Sequence, residues 1–286
     1  MCGIVAAVGQ RDVTEILLEG LRRLEYRGYD SAGVALLNDQ GDLQSSKHPG
    51  KVAVLEEALA TSPVMGVTGI AHTRWATHGV PNTINAHPHI SGNRIALVHN
   101  GIIENHQALR ESLVGRGVTF ASDTDTEVIV HLINSEMEAQ PSLLKAVQQV
   151  LPRLEGAYAL AVLDAQTPGL LVVARAGSPL VLGVGMGESY AGSDTLALRP
   201  VTDRFVYLEE GDTAELTADS YTIYSHDGHA VEREITRIEA SDDNGALGDY
   251  DHYMVKEIHE QPARLRDTVS IDWRSDDCFG DNTKAL

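Results

Sequence analysis

The sequence predicts a layered α+β domain with mainly antiparallel sheets, followed by a short second region. Three observations lead there. Apolar runs of strand length occur in both halves of the chain, whereas segments with helical periodicity are bunched; a doubly wound parallel sheet needs strict alternation of the two. The 286 residues are 43% hydrophobic and 22% charged, enough to bury a full-sized core in one large domain or two smaller ones. Near residue 240 the texture changes: ASDDNGALGDYDHY is acidic, contains glycine and is poor in apolar residues, so it reads as a linker. The expected division is therefore 1–240 and 241–286.

In chain order, residues 3–8 (GIVAAV) read as a short buried strand. Asp12-Val13-Thr14-Glu15 has the form of a capping box, with Asp12 accepting from early backbone N–H groups and Glu15 reaching back. Val13, Ile16, Leu17, Leu21 and Leu24 then make one helical face, and Gly28 stops the helix. A strand resumes over 32–37, and a short helix follows over 51–60. GIAHTR (69–74) and RIALVHN (94–100) are strands ending in polar residues, joined by a loop broken by Gly79, Pro81 and Pro88. Helices are expected over 105–114, closed by Gly115 and Gly117, and over 126–138. A third, capped by Ser142, carries Leu144, Val147, Val150, Leu151 and Leu154 on one stripe. The pattern then turns to strands at 157–164, 169–176, 178–185, 204–210 and 220–225. Beyond the linker, Met254, Val255, Ile258, Leu265 and Val269 form an amphipathic stretch broken near Pro262, and 271–286 show no usable period.

Charge and composition exclude several classes of function. Lys and Arg total 22 against 41 Asp and Glu, a net charge of −19, which argues against nucleic acid or an anionic lipid surface as the main partner. No apolar run approaches the ~20 residues that span a bilayer. Two cysteines, Cys2 and Cys278, make no disulfide framework and point to a reducing compartment. The N-terminal apolar stretch is short and has no basic segment before it, so a soluble cytoplasmic protein is expected. GVGMGE (183–188) has spaced glycines but follows no βαβ unit, so it is not read as a phosphate loop. His72, His78, His87, His89 and His99 cluster in sequence, but no acidic or Cys partner stands at ligand spacing. Neither a metal nor a cofactor is expected.

The residue with most chemical potential is Cys2. Methionine removal is favoured before a small residue, and it would leave Cys2 with both a thiol and a free α-amino group. An amine of pKa ~8 can take the proton of a thiol of pKa ~8.5 directly or through water, without a His partner. The plainer reading is a small apolar residue at the start of a buried strand.

Further strings accompany it in order: MCGIVA at the N-terminus, EYRGYDSAG, HTRWATHG, VHNGIIEN and TDTEV. Together they resemble the N-terminal-nucleophile glutamine amidotransferases over about residues 2–240. Within that family they look most like the members that pass ammonia to fructose 6-phosphate; members serving phosphoribosyl pyrophosphate or aspartate share Cys-Gly-Ile but usually differ at YRGYDSAG and HTRWATHG. The resemblance implies a four-layer α/β/β/α sandwich of the N-terminal-nucleophile hydrolase type. It also implies hydrolysis of the L-glutamine side-chain amide through a thioester on Cys2, with the α-amino group as base and then acid.

By the same resemblance, the Asn100 side-chain amide and the Gly101 backbone N–H form an oxyanion hole, a task suited to an amide donor beside a residue whose backbone can approach closely. Asn-Gly is otherwise simply a turn. Arg74 is the clamp for the substrate α-carboxylate, since guanidinium and carboxylate pair in bidentate fashion, with Thr77 and His78 adding donors. Asp125 accepts the α-ammonium; its other reading is a helix N-cap. Trp75 belongs to a loop that closes over glutamine, or else anchors that loop as a partly buried aromatic. Arg27 orders the surroundings of Cys2, or makes an ion pair with Asp30.

HYMVKEIHEQP resembles the opening of a sugar-isomerase region, and from about Ile271 the resemblance ends. The expectation is a glutaminase piece without its phosphosugar site. An orphaned amphipathic stretch near 254–269 would favour self-association, in the simplest case a homodimer, or disorder. Two other functions remain open: a glutaminase domain serving another acceptor, and an inactive glutamine-binding regulator.

Overall fold

The first apolar run folds as a strand buried on both faces, and the rest of the domain is built around it. In the computed structural model the described residues are 2–76, 79–238, 250, 255–256 and 258–262. Two units are distinguished, Met1–Ala240 and Ser241–Leu286. In the second, residues 255–256 and 258–262 are helical, and the rings of Tyr250 and His259 stack at 5.5 Å. Cys278, Met254, Leu265, Val269 and all of the linker but Tyr250 lie outside the described residues.

The first unit runs β1 (Gly3–Gly9), α1 (Thr14–Leu24), β2 (Ser31–Leu37), β3 (Leu43–Pro49), α2 (Val52–Thr61), β4 (Thr68–Arg74), β5 (His89–Ser91), β6 (Ile95–Ile103), α3 (His106–Gly115), α4 (Thr126–Ala139) and α5 (Leu143–Val150). It continues through β7 (Gly156–Asp164), β8 (Leu171–Ala176), β9 (Val181–Val184), β10 (Glu188–Gly192), α6 (Thr195–Leu198), β11 (Arg204–Tyr207), β12 (Thr213–Leu216), β13 (Tyr221–Tyr224), β14 (Ala230–Val231) and β15 (Ile235–Arg237). These strands form an eight-stranded sheet in the order β15-β11-β9-β10-β1-β4-β2-β3 and a seven-stranded sheet in the order β14-β13-β12-β8-β7-β6-β5. Every pairing between strands is antiparallel.

Strand alternation sorts side chains into three cores. On β1, Val5 and Ala7 face α1, α2 and α6, together with Leu17, Leu21, Leu55 and Leu198. Ile4, Ala6 and Val8 face the other way, into a layer shared with Ala96 and Val98 of β6 and Ala159, Ala161 and Leu163 of β7. On the far side of the second sheet, Ile95, Leu97, Leu160 and Val162 pack against α3, α4 and α5 through Leu113, Ile129, Ile133 and Val147. The result is the α/β/β/α sandwich. Small residues dominate the middle of the inter-sheet layer (Ala6, Ala96, Ala159, Ala161 and Ala191), which lets the two sheets approach where the site lies.

Several local expectations give way to tertiary contacts. The capping box does not form: Val13 is the N-cap of α1 and no side chain caps it. Asp12 Oδ1 instead accepts from Thr14 Oγ1 at 2.8 Å and from the Gly66 N–H at 2.9 Å, tying the helix start to the loop before β4. The first helix ends at Leu24, and a 3-10 turn over Glu25–Arg27 carries the chain to Gly28. The glycine cluster 183–188 is the hairpin between β9 and β10. β3 (LQSSKHP) is half-exposed and at a sheet edge, which is why it carries too few apolar residues to announce itself.

Ala161→Leu tests the closeness of the sheets. It adds bulk to a layer with no room for it and is expected to lower stability by about 1–3 kcal/mol, measured by urea unfolding.

Candidate active site

Residue 2 is placed by the register of β1. Gly3 pairs with Thr73 and Ile4 with His72 on β4, and Val5 pairs with Gly192 on β10, so the residue before Gly3 arrives beside the end of β4. The Cys2 sulfur there accepts from the Trp75 N–H at 3.2 Å, and its own S–H reaches the Trp75 carbonyl at 3.5 Å. Burial pushes the thiol up from its ordinary range; the Trp75 N–H bond and the cationic field of Arg74 pull it down, and Asp125 adds to the rise. The net rise leaves the sulfur protonated near neutral pH, so it needs a base to attack.

The second sheet brings Asn100 and Gly101, on β6, to the same place. Asn100 Nδ2 donates to the Cys2 carbonyl oxygen at 3.1 Å. Gly101 is required for two reasons: its φ is +138°, and a Cβ there would collide with the Ala157 carbonyl oxygen on β7. Asn100-Gly101 lies within the strand and is not a turn.

Arg74 ends β4 and is only 4% exposed. Burial lowers its pKa, while Cys2, Asp125 and Asp30 act in the opposite sense, so a buried guanidinium stands in the field of two carboxylates next to the thiol. Trp75 is 45% exposed and meets Tyr29 edge-on at 5.6 Å. It is a partly exposed aromatic whose backbone N–H and carbonyl both meet the Cys2 sulfur. Thr77 and His78 lie outside the described residues.

The YRGYDSAG string supports this segment from below. The Arg74 carbonyl accepts from the Asp30 N–H at 3.0 Å, and Asp30 Oδ2 accepts from the Ala76 N–H at 2.7 Å. Gly28 lies against the Arg74–Trp75 backbone so closely that a Cβ would strike it. Arg27 does not pair with Asp30, whose carboxylate holds Ala76. It pairs with Asp194 at 3.1 Å and donates to the Ser193 carbonyl at 3.3 Å. Ser193 in turn receives the Ile4 N–H on its Oγ at 3.1 Å and donates its own N–H to the Ile4 carbonyl. Arg27 therefore acts on the corner that pins the start of β1.

Asp125 occupies the N-cap position of α4 but does not cap it. Its Oδ2 accepts from the Ile103 N–H at 2.8 Å, while the Glu127 N–H goes to Thr124 Oγ1. Glu127 holds the preceding turn through the Ala121 and Ser122 N–H groups at 2.8 and 2.7 Å. Burial alone would raise its carboxyl, but the donors of His131, Ala121 and Ser122 outweigh that and bring it down to about 2.

Behind Asn100 lies a group that the sequence showed only as scattered histidines. His72, His87, His89 and His99 are all buried. His72 stacks on His87 at 4.1 Å, and His87 meets His89 edge-on at 4.8 Å. At least one nitrogen of each ring is engaged by a backbone, hydroxyl or amide group: His72 Nε2 by the His99 carbonyl and Asn100 Oδ1, His87 Nδ1 by the His99 N–H, His99 Nδ1 by Thr126, and His89 Nε2 by Thr124. Burial pulls both His72 and His89 down to about 3, and it lowers His87 and His99 as well. The HTR and HPH strings were the available signal, but spacing alone spoke only to metal binding and not to this packing.

The cluster sets an acid limit on stability. Between about pH 6.5 and 3 the unfolded chain binds protons at these histidines that the folded chain excludes, so stability falls as pH falls through that window. His72 and His89 alone give a slope of about 3 kcal/mol per pH unit in the middle of it. Thermal unfolding from pH 7 to 4 should show this loss; a flat profile down to pH 4.5 would contradict neutral burial.

A family model described as a glutamine amidotransferase domain matches residues 72–200, which include Arg74, Asn100, Gly101 and Asp125. The curated glutamine–fructose-6-phosphate aminotransferase (isomerizing) of Pseudomonas syringae pv. tomato is 56% identical over 269 residues, covering 94% of this chain and 44% of its own length. The protein of the same name from Shewanella oneidensis is 55% identical over 286 residues, 99% of this chain and 47% of its own. The chain thus spans about half the length of these relatives. Among solved structures, the glutamine phosphoribosylpyrophosphate amidotransferase from B. subtilis matches with a TM-score of 0.65 and 25% identity, over 84% of this chain and 50% of that one. Over residues 72–200 the chain carries a glutamine amidotransferase domain, and the sandwich fold and these identities agree with that match.

Proposed function

We propose that the domain hydrolyses the side-chain amide of L-glutamine at Cys2, giving glutamate and ammonia. The observation that carries this reading is the convergence, across two sheets, of Cys2, whose carbonyl oxygen accepts from the Asn100 amide, with a glycine that admits close approach. Removal of Met1 frees the Cys2 α-amino group. That amine takes the thiol proton as sulfur adds to the amide carbon, and the oxygen becomes an anion facing Asn100 Nδ2 and the Gly101 N–H. The resulting ammonium returns its proton to the leaving nitrogen, and ammonia departs from a thioester. Water then attacks the thioester with the amine again as base, releasing glutamate and restoring the thiol. The raised thiol pKa supports a mechanism in which the base acts during attack.

Arg74 is assigned the substrate α-carboxylate and Asp125 the α-ammonium. The buried guanidinium and the carboxylate not spent on capping α4 support these roles. Thr77 and His78 are assigned as additional donors in the same loop, and Trp75 as the cover. The names of the relatives extend the proposal: within a longer protein, the ammonia would pass to fructose 6-phosphate to form glucosamine 6-phosphate. A reducing cytoplasm suits an essential free thiol. The amphipathic residues after the linker support self-association as a homodimer.

Glutamate and ammonia release by the purified chain tests the chemistry. Cys2→Ala should abolish both, and Asn100→Ala should lower kcat by about 100- to 1000-fold. A chain with a lysine inserted between Met1 and Cys2, so that no N-terminal cysteine is exposed, should be inactive; full activity there removes the amine from the mechanism. Activity should decline as pH falls through ~8 to 7, where an α-amine takes up its proton.

A further inference from the structure

The two ends of the Asn100 amide have opposite chemistry: Nδ2 donates and Oδ1 accepts. An oxyanion needs the donating end, yet the two ends are nearly the same size and shape does not choose between them. On the near side the Cys2 carbonyl, which can only accept, takes Nδ2 at 3.1 Å, and the atoms on the far side of the amide select the same orientation. There His72 Nε2 lies 3.1 Å from Asn100 Oδ1 and 3.0 Å from the His99 carbonyl oxygen. A backbone carbonyl can only accept, so Nε2 carries the hydrogen. Burial pulls His72 down to about 3, so the ring is neutral and has one N–H to give. Consistent with that, its buried Nδ1 has no hydrogen-bond partner among the described residues. The ring is 1% exposed and stacks on His87 with 13° between planes, which holds it against turning over.

We propose that His72 is a positioning residue for the oxyanion hole: its Nε2–H, anchored on the His99 carbonyl, holds the Asn100 amide with Oδ1 away from Cys2 and Nδ2 toward it. A flipped amide would set a carbonyl oxygen against both the Cys2 carbonyl and the developing oxyanion, opposing the charge it should stabilise. His72 touches neither substrate nor sulfur in this role. The inference rests on Asn100 acting as the oxyanion donor, as proposed above.

The test compares two variants of similar volume in the whole chain. His72→Gln keeps an N–H that can reach the Nε2 position; His72→Met does not. Glutaminase kcat should stay within about tenfold for the Gln variant and fall at least about 100-fold for the Met variant, with KM changed less than about threefold in both. Because His72 acts through Asn100, adding His72→Met to Asn100→Ala should cost no more than about twofold further. Retained kcat in His72→Met alongside a crippled Asn100→Ala overturns the inference and leaves the oxyanion assignment standing, as does a multiplicative loss in the double variant. Full kcat in Asn100→Ala overturns both. If the Met variant does not fold, 15N NMR of histidine-labelled wild type decides: an Nε2–H tautomer at His72 supports the proposal, and an Nδ1–H tautomer or an imidazolium overturns it.

Discussion

The site depends on the register of one buried strand. β1 has β4 on one side and β10 on the other, and both of its faces are covered. A slip of one residue would turn Val5 and Ala7 from the helix layer into the inter-sheet layer and displace Ile4, Ala6 and Val8 in exchange. Because that exchange is costly on both faces, the strand has one register, and the residue just before it has one place. A thiol next to a chain end would ordinarily be among the most mobile groups in a protein. Here it is located by apolar packing a few residues downstream.

The second requirement is that another sheet approach closely enough to supply the opposing groups. Alanines in the inter-sheet layer make that possible, and the Asn100–Cys2 hydrogen bond spans the gap. Around this contact the polar groups are held by backbone atoms more than by each other. Asp30 bonds Ala76, Asp125 bonds Ile103, Ser193 bonds Ile4, and His72 bonds the His99 carbonyl. Backbone partners belong to strands and turns that the cores already fix, so the site inherits its rigidity from apolar packing. The histidines fit the same logic: as neutral rings they are buried without an ionic partner and still donate in fixed directions.

Much of the domain was legible in the chain. Strands at 3–8, 32–37, 69–74, 94–100 and 157–164 have apolar runs that a buried sheet demands, and the helices from 105 to 150 have clear periodicity. The strands that escaped notice, such as Leu43–Pro49 and Thr213–Leu216, are short or polar. They are strands because a neighbour offers hydrogen bonds, and a single segment holds no record of its neighbour. The capping box failed for a related reason: Asp12 satisfies a local rule on paper, but the Gly66 N–H, distant in sequence, claims its oxygen.

What the sequence by itself determined is the inventory: which residues carry a thiol, a guanidinium or an amide, the strings in which they occur, and the periodicities that make their surroundings strand or helix. These properties are local, and short-range sterics and hydrophobic alternation are enough to express them. The tertiary structure alone decided the partners. Arg27 faces Asp194 and not Asp30, Asp125 serves Ile103 and not its own helix, and His72 stands behind Asn100. Each of these pairings is a contact across at least 20 positions of chain, set by the register and separation of two sheets, and no property of the individual residues contains it.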